Sequence, residues 1–333
     1  MFFEGDFMIK YGVIGTGWIA EEFVKGAQLC EDMELAAVYS RSKEKGEAFA
    51  APFGGAKIFD DINEFAASDI DAVYIASPNS LHYPQSKLML RSGKHVLCEK
   101  PITVTPDEFY ELCELAKEKN LVYTEAIMYL HLPERKTLLD AVKKIGKVTT
   151  AHFDFSQLSS KYPALKRGEL PNIFNPHFAT GCLMDLGIYC IYPVLDIFGE
   201  PYKITASSGF LSTGADGYGT AIFDYDGRQV TLTYSKVAQD RCGSMICGDE
   251  GTIVLPSVSQ LTEMKMYDNS GNMTVLSEDK EKKILMYYEA ADFAKYIKAG
   301  AKDEEYERFN ALVGKVSEVM MKIRSLAGIE FTL

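Results

Sequence analysis

An apolar run at residues 8–14 passes directly into Gly15-Thr16-Gly17-Trp18-Ile19-Ala20, and an apolar-periodic stretch follows through residue 29. No other feature restricts the fold as strongly. A buried strand, a Gly-x-Gly-x-x-Ala turn and a helix open a βαβ unit whose first turn faces phosphates. Gly15 permits the tight turn, Gly17 lets a pyrophosphate approach the backbone, and Ala20 is small enough for close helix-on-strand packing. The helix N-terminus offers unpaired N–H groups. Gly15, Thr16, Gly17, Trp18 and Ile19 are therefore expected to line a dinucleotide. A glycine-rich turn without a ligand is the competing reading.

The end of the second strand separates the two common dinucleotides. NAD sites usually place Asp or Glu about 20 residues on, against the ribose 2′-hydroxyl. Here residues 35–39 end in Ser40-Arg41-Ser42-Lys43, with Lys45 close behind. Two hydroxyls and a guanidinium suit a 2′-phosphate. This basic knot stands out in a chain of formal net charge −12. A solvated helix start is the alternative. The expectation is NADP, held by Ser40, Arg41 and Lys45, with NAD possible.

Strands at residues 71–76, 95–98 and 121–124, with helices at 81–91 and 106–119, continue the alternation and predict a doubly wound parallel sheet over residues 1–125. After about residue 147 the pattern becomes hairpin-linked. Strands are expected at 148–155, 204–210, 218–225, 229–234, 245–247, 252–255, 264–267 and 273–276, with Gly- and Asp-rich turns between them. The fold class is α/β: a Rossmann domain, then an α+β domain over residues 126–333 built on a large, open-faced, mainly antiparallel sheet. The final helix, 310–326, is expected to pack back on the first domain. Residues 156–180 have no clean period and read as a long, functional loop.

Composition narrows the function classes. The acidic balance argues against nucleic-acid and anionic-membrane partners. No apolar run is expected to reach the roughly 20 residues that span a bilayer. The start, Met1-Phe-Phe-Glu-Gly-Asp6, lacks a signal peptide's basic region, and the seven residues before Met8 read as an appendage. Seven scattered cysteines form neither a disulfide framework nor a zinc site, so no metal is expected and a reducing cytoplasm fits best.

Two further segments carry chemistry. Glu99-Lys100-Pro101 follows the fifth strand, at the carboxyl edge where doubly wound sheets bind ligands. The helix at residues 181–198 is apolar on most sides but carries Asp185, Tyr189, Tyr192 and Asp196 at helical spacing. A buried carboxylate needs a partner, and Lys100 is the candidate for Asp185. Pro193 is expected to bend the helix.

These segments, with the Gly15 loop, Ser77-Pro78-Asn79-Ser80-Leu81-His82 and Asp185-Leu-Gly-Ile-Tyr189, occur in the order of the glucose-fructose oxidoreductase, inositol dehydrogenase and rhizopine-catabolism (Gfo/Idh/MocA) family, which the whole chain resembles. Many relatives carry His where this chain has Tyr189. The Tyr form resembles the branch of glucose-fructose oxidoreductase, NADP-dependent xylose dehydrogenase and dimeric dihydrodiol dehydrogenase. The resemblance implies Lys100 and Tyr189 as catalytic, with Asp185 beside them. Cofactor contacts are further expected at Ser77, Pro78, Asn79, His82, Glu99 and Lys100. Two departures stand out: Thr180 replaces the first of a family glycine pair, and Leu130 stands where the family usually has Arg.

The implied reaction is hydride transfer between NADP and a secondary alcohol of a sugar, cyclitol or trans-diol. Tyr, with an ordinary pKa of about 10, would act as general base with its pKa lowered by an ammonium. A non-catalytic NADP-binding sensor and a redox-neutral, NAD-dependent glycoside hydrolase are the alternatives. Tyr162, Arg167, Phe174 and His177 are candidates for the substrate wall. Apolar residues within 220–225 are expected on an uncovered sheet face that mediates a homodimer.

Overall fold

The computed structural model describes residues 8–332, so the expected appendage at residues 1–7 lies outside the described residues. Two compact units divide the chain: one runs to Met128 and adds Glu281–Ala311, and the other holds Tyr129–Lys280 and the C-terminal residues from Leu312.

The first unit is a six-stranded parallel sheet of β1 (Ile9–Ile14), β2 (Met33–Tyr39), β3 (Lys57–Phe59), β4 (Ala72–Ile75), β5 (His95–Glu99) and β6 (Tyr123–Ala126). Its order, β3-β2-β1-β4-β5-β6, reverses direction between β1 and β4, the switch point where doubly wound sheets bind ligands. Burial on both faces explains why β4 reads as a continuous apolar run: every one of its residues is buried.

One boundary differs from expectation. The sequence places everything after residue 125 in the second domain and returns only the last helix, yet the helix Lys282–Lys298 also belongs to the first unit. It packs on the helix Trp18–Ala27, where a Cβ on Gly26 would lie 2.7 Å from the Met286 backbone. The last helix, Glu304–Ala327, begins in this unit, but from Leu312, nearly all of the expected 310–326, it belongs to the second unit. Before that point Asn310 Nδ2 donates to the Tyr123 carbonyl at 2.8 Å, and the Tyr123 amide donates to the Tyr306 hydroxyl at 3.1 Å.

The second unit is built on an eight-stranded sheet: β7 (Val148–Ser156), β8 (Lys203–Phe210), β9 (Asp216–Tyr225), β10 (Arg228–Ser235), β11 (Ser244–Gly248), β12 (Gly251–Leu255), β13 (Lys265–Asp268) and β14 (Met273–Val275). Its order is β14-β13-β12-β11-β7-β10-β9-β8. Only the β7–β10 pair within it is parallel. The inner face packs against the helix Ile188–Phe198.

Within 220–225 the expected uncovered face carries Ile222 but not Ala221 or Phe223. Ala221 and Phe223 are fully buried and paired with Leu232 and Val230 on the inner face. With a side-chain period of two, the outer face carries Tyr218, Thr220, Ile222 and Asp224. Its exposed apolar residues lie elsewhere too, at Met245, Met273 and Val275.

Residues 176–198 correct a second expectation. By length and composition this 23-residue helical stretch could cross a membrane, although 78% of its apolar window is buried inside the fold. Burial against the sheet accounts for its hydropathy. The loop at 156–180 is also more ordered than its sequence suggests, with a short helix at Tyr162–Lys166 and 3₁₀ turns at Asn172–Phe174 and Pro176–Phe178.

Candidate active site

At the switch point of the first unit, Gly15 has φ +105°, and a Cβ there would lie 2.5 Å from the Ala76 carbonyl oxygen. Only glycine fits that turn. Gly17 differs: a Cβ on it would meet nothing within 4 Å. Gly17 precedes the helix Trp18–Ala27, whose first N–H groups receive no side-chain cap. An open backbone before a ten-residue helix is the cradle a pyrophosphate requires. Thr16 and Ile19 are partly exposed, and Trp18 is exposed.

At the end of β2, Ser40 is buried and its hydroxyl accepts the Ser42 amide at 3.3 Å. Ser42 caps the next helix, accepting from the Lys45 amide at 3.3 Å and donating to Glu44 at 2.8 Å. Arg41 and Lys45 are exposed, and among the described residues neither forms an ion pair. The two cations therefore stand uncommitted beside a hydroxyl-lined strand end, a donor set that fits a 2′-phosphate.

The loops after β4 and β5 are tied together by His82. It is 1% exposed, and its two ring nitrogens lie 2.8 Å from the carbonyl oxygens of Ser77 and Pro101. Burial lowers its pKa. The sequence places His82 among the cofactor contacts; the structure makes it a clasp between two strand ends. Ser77 donates to Gln85 at 2.6 Å, while Pro78 and Asn79 are partly exposed at the start of the turn.

Glu99 turns toward the interior. Its carboxylate accepts from the Tyr74 hydroxyl at 2.5 Å and from the Lys100 amide at 3.2 Å. Burial raises its pKa. Lys100 follows at the carboxyl edge and is partly exposed.

In the second unit, Asp185 sits within a π-helical turn, Leu183–Gly187, that leads into the helix Ile188–Phe198, where Tyr189 is the second residue. The 3.6-residue spacing that aligns four polar residues in the sequence does not hold through that turn. Asp185 is thereby turned relative to Tyr189, Tyr192 and Asp196, which follow on the regular helix and meet different surroundings. Tyr189 is partly exposed, with its ring edge-on to Phe155 at 5.3 Å. Tyr192 is fully buried, and Asp196 takes a two-pronged ion pair from Arg135 at 2.8 and 2.7 Å plus the Tyr129 hydroxyl at 2.8 Å.

Asp185 forms an ion pair with Lys236, a cation the motif reading does not include. A signal for it exists in the sequence: Val230, Leu232 and Tyr234 alternate inward, and Lys236 continues that series. Asp216 is likewise unforeseen. It is fully buried and accepts the Leu183 amide at 2.7 Å, so it caps the turn that carries Asp185.

The four substrate-wall candidates fare differently. Phe174 is fully buried and serves the core, and Tyr162 packs edge-on to it at 6.3 Å. Arg167 is exposed and paired with Glu169 at 2.8 Å. His177 bonds the Thr332 carbonyl at 2.8 Å. The Thr180 hydroxyl lies 2.9 Å from the carbonyls of both Asn172 and Asn175, sharing its one proton between them, and so staples the loop at the position where a family glycine is expected. Leu130 is 3% exposed, a core position rather than a surface that lost a charge.

Residues 9–127 match the model of the oxidoreductase family with an NAD-binding Rossmann fold, and residues 136–254 match the GFO/IDH/MocA C-terminal domain. The chain belongs to the GFO/IDH/MocA oxidoreductase family. Among its relatives, scyllo-inositol 2-dehydrogenase (NADP(+)) of Bacillus subtilis is 38% identical over 325 residues, covering 97% of this chain and 98% of the relative. Trans-1,2-dihydrobenzene-1,2-diol dehydrogenase of Xenopus laevis is 32% identical over 257 residues, 74% and 75% of the two chains. A 3-ketoreductase from Actinomadura kijaniata, solved with NADP and TDP-benzene, has the same fold at TM-score 0.85, with 22% identity and 96% and 98% coverage. This GFO/IDH/MocA protein is thus an oxidoreductase with an NAD-binding Rossmann domain and a mainly antiparallel C-terminal sheet.

Proposed function

We propose that this protein is an NADP-dependent dehydrogenase acting on a secondary alcohol of a cyclitol or sugar. The observation that carries this reading is the 38% identity, over nearly the full length of both chains, to an NADP-dependent scyllo-inositol dehydrogenase. The open Gly17 backbone, uncommitted Arg41 and absence of an acidic residue at positions 40–43 support the choice of cofactor. NADP, when bound, supplies the hydride acceptor. Tyr189 takes the proton of the substrate hydroxyl at its phenolic oxygen, and Lys100 donates to the oxygen of that hydroxyl. Asp185 accepts from the substrate. Incubation with NADP and a panel of inositols, aldoses and diols should give reduced nicotinamide absorbance with at least one cyclitol. A protein that binds NADP but oxidises none of them would refute the reading.

Arg41→Ala isolates the cofactor choice. Losing one charge-assisted phosphate contact, worth roughly 1.5–3 kcal/mol, should raise the KM for NADP about 10- to 100-fold and leave that for NAD little changed. Equal effects on both cofactors would contradict the assignment.

We also propose a homodimer through the outer sheet face. Exposed Tyr218, Met245, Met273 and Val275 support it. Sedimentation of a monomer at micromolar concentration would reject it. Seven free cysteines favour a reducing compartment, and we assign the protein to the cytoplasm.

A further inference from the structure

Lys236 lies just past β10, at the inward position that follows Tyr234, and is 1% exposed. A desolvated ammonium is costly unless it is paired. Its ion-pair partner is Asp185. Buried Asp216 sits near enough to sense the Lys236 charge while it binds the Leu183 amide. A lysine after β10, an aspartate from β9 and an aspartate on the π-helical turn thus form one cluster.

The Asp185–Lys236 pair is one-sided. The lysine side chain is 2% exposed and the aspartate side chain 32%. The ammonium therefore grips the carboxylate from the interior and leaves part of it facing outward. An ionised carboxylate only accepts hydrogen bonds, and the hydroxyls of a polyol are donors.

We propose that Lys236 is a positioning residue for the dehydrogenase: it anchors Asp185 from the interior side, so that the outward part of the carboxylate is a fixed acceptor for a substrate hydroxyl. This rests on the polyol dehydrogenase reading above. Lys236 touches neither substrate nor cofactor in this scheme and acts only through Asp185. A misplaced reacting group can cost on the order of 100-fold in rate.

The test uses the full chain with NADP and scyllo-inositol as probe, and compares Lys236→Met, Lys236→Arg, Asp185→Asn and the Lys236→Met/Asp185→Asn double variant. Lys236→Met should lower kcat by about 30- to 100-fold with the dissociation constant for NADP unchanged. Lys236→Arg should recover part of that loss. The double variant should be no slower than Asp185→Asn alone, because Lys236 has nothing left to position. It should also melt higher than Lys236→Met, because the Asp185 charge that lost its ammonium is removed as well.

Wild-type kcat in Lys236→Met overturns the inference, as does a further multiplicative loss in the double variant. If Lys236→Met is too unstable to purify, the double variant against Asp185→Asn decides the same question. Wild-type protein inert toward every polyol overturns the dehydrogenase reading, and the positioning role falls with it.

Discussion

Tyr189→Phe should lower turnover by about 10²–10⁴-fold, the usual contribution of a positioned general base, while NADP binds as in the wild type. The ring is half-buried and rests edge-on against Phe155, so removing one hydroxyl leaves the packing intact. Lys100→Ala should cause a loss of similar size. The two losses should not multiply, since residues that act as a unit are non-additive. Steady-state kinetics on the two single variants and the double variant, with nicotinamide fluorescence to read binding, checks all of this. Near-normal turnover in both single variants removes the assignment.

Asp196→Ala should leave turnover per folded molecule close to wild type but destabilise the protein by about 3–5 kcal/mol, the cost of stranding one member of a buried ion pair. Arg135, 8% exposed, loses both of its bonds to Asp196 and the opposite charge they carry. The Tyr129 hydroxyl loses its acceptor as well. Replacing both charges, as in Arg135→Met/Asp196→Leu, should recover much of the loss, because apolar groups of similar volume tolerate such a site. Thermal melts of the three variants test the claim; a melting temperature unchanged in Asp196→Ala would contradict it.

That prediction also marks where the sequence stops being readable. Asp185, Tyr189, Tyr192 and Asp196 form one stripe at a period of 3.6, but nothing in Leu183–Gly187 announces a π turn. Tertiary contacts then assign the four residues separate duties. Strands were legible wherever burial is two-sided or the alternation is clean: β1, β4, β5 and the hairpins of the second sheet all occur close to their expected positions. β3 has only three residues, too few for a period to show. The return of Glu281–Ala311 to the first unit depends on pairing with a helix more than 250 residues earlier, which local pattern cannot encode.

Within the site, the glycine loop was legible because its chemistry is local to six residues. His82 and Glu99 were placed in the right loops, but their structural duty there was not legible. Their carbonyl, hydroxyl and amide partners come from neighbouring strand ends that spacing alone does not bring together. Lys236 was readable from strand alternation, yet a lone lysine past a strand end draws attention only once Asp185 is known to need a cation.

The account stands on hydride transfer from a polyol carbon to the nicotinamide ring. Perdeuterated scyllo-inositol, incubated with the protein and NADP, tests it most directly, with the reduced cofactor read by mass spectrometry. The account predicts that each reduced cofactor carries one deuterium and that the matching inosose forms in equal amount. Unlabelled cofactor, with the polyol recovered intact, would contradict it.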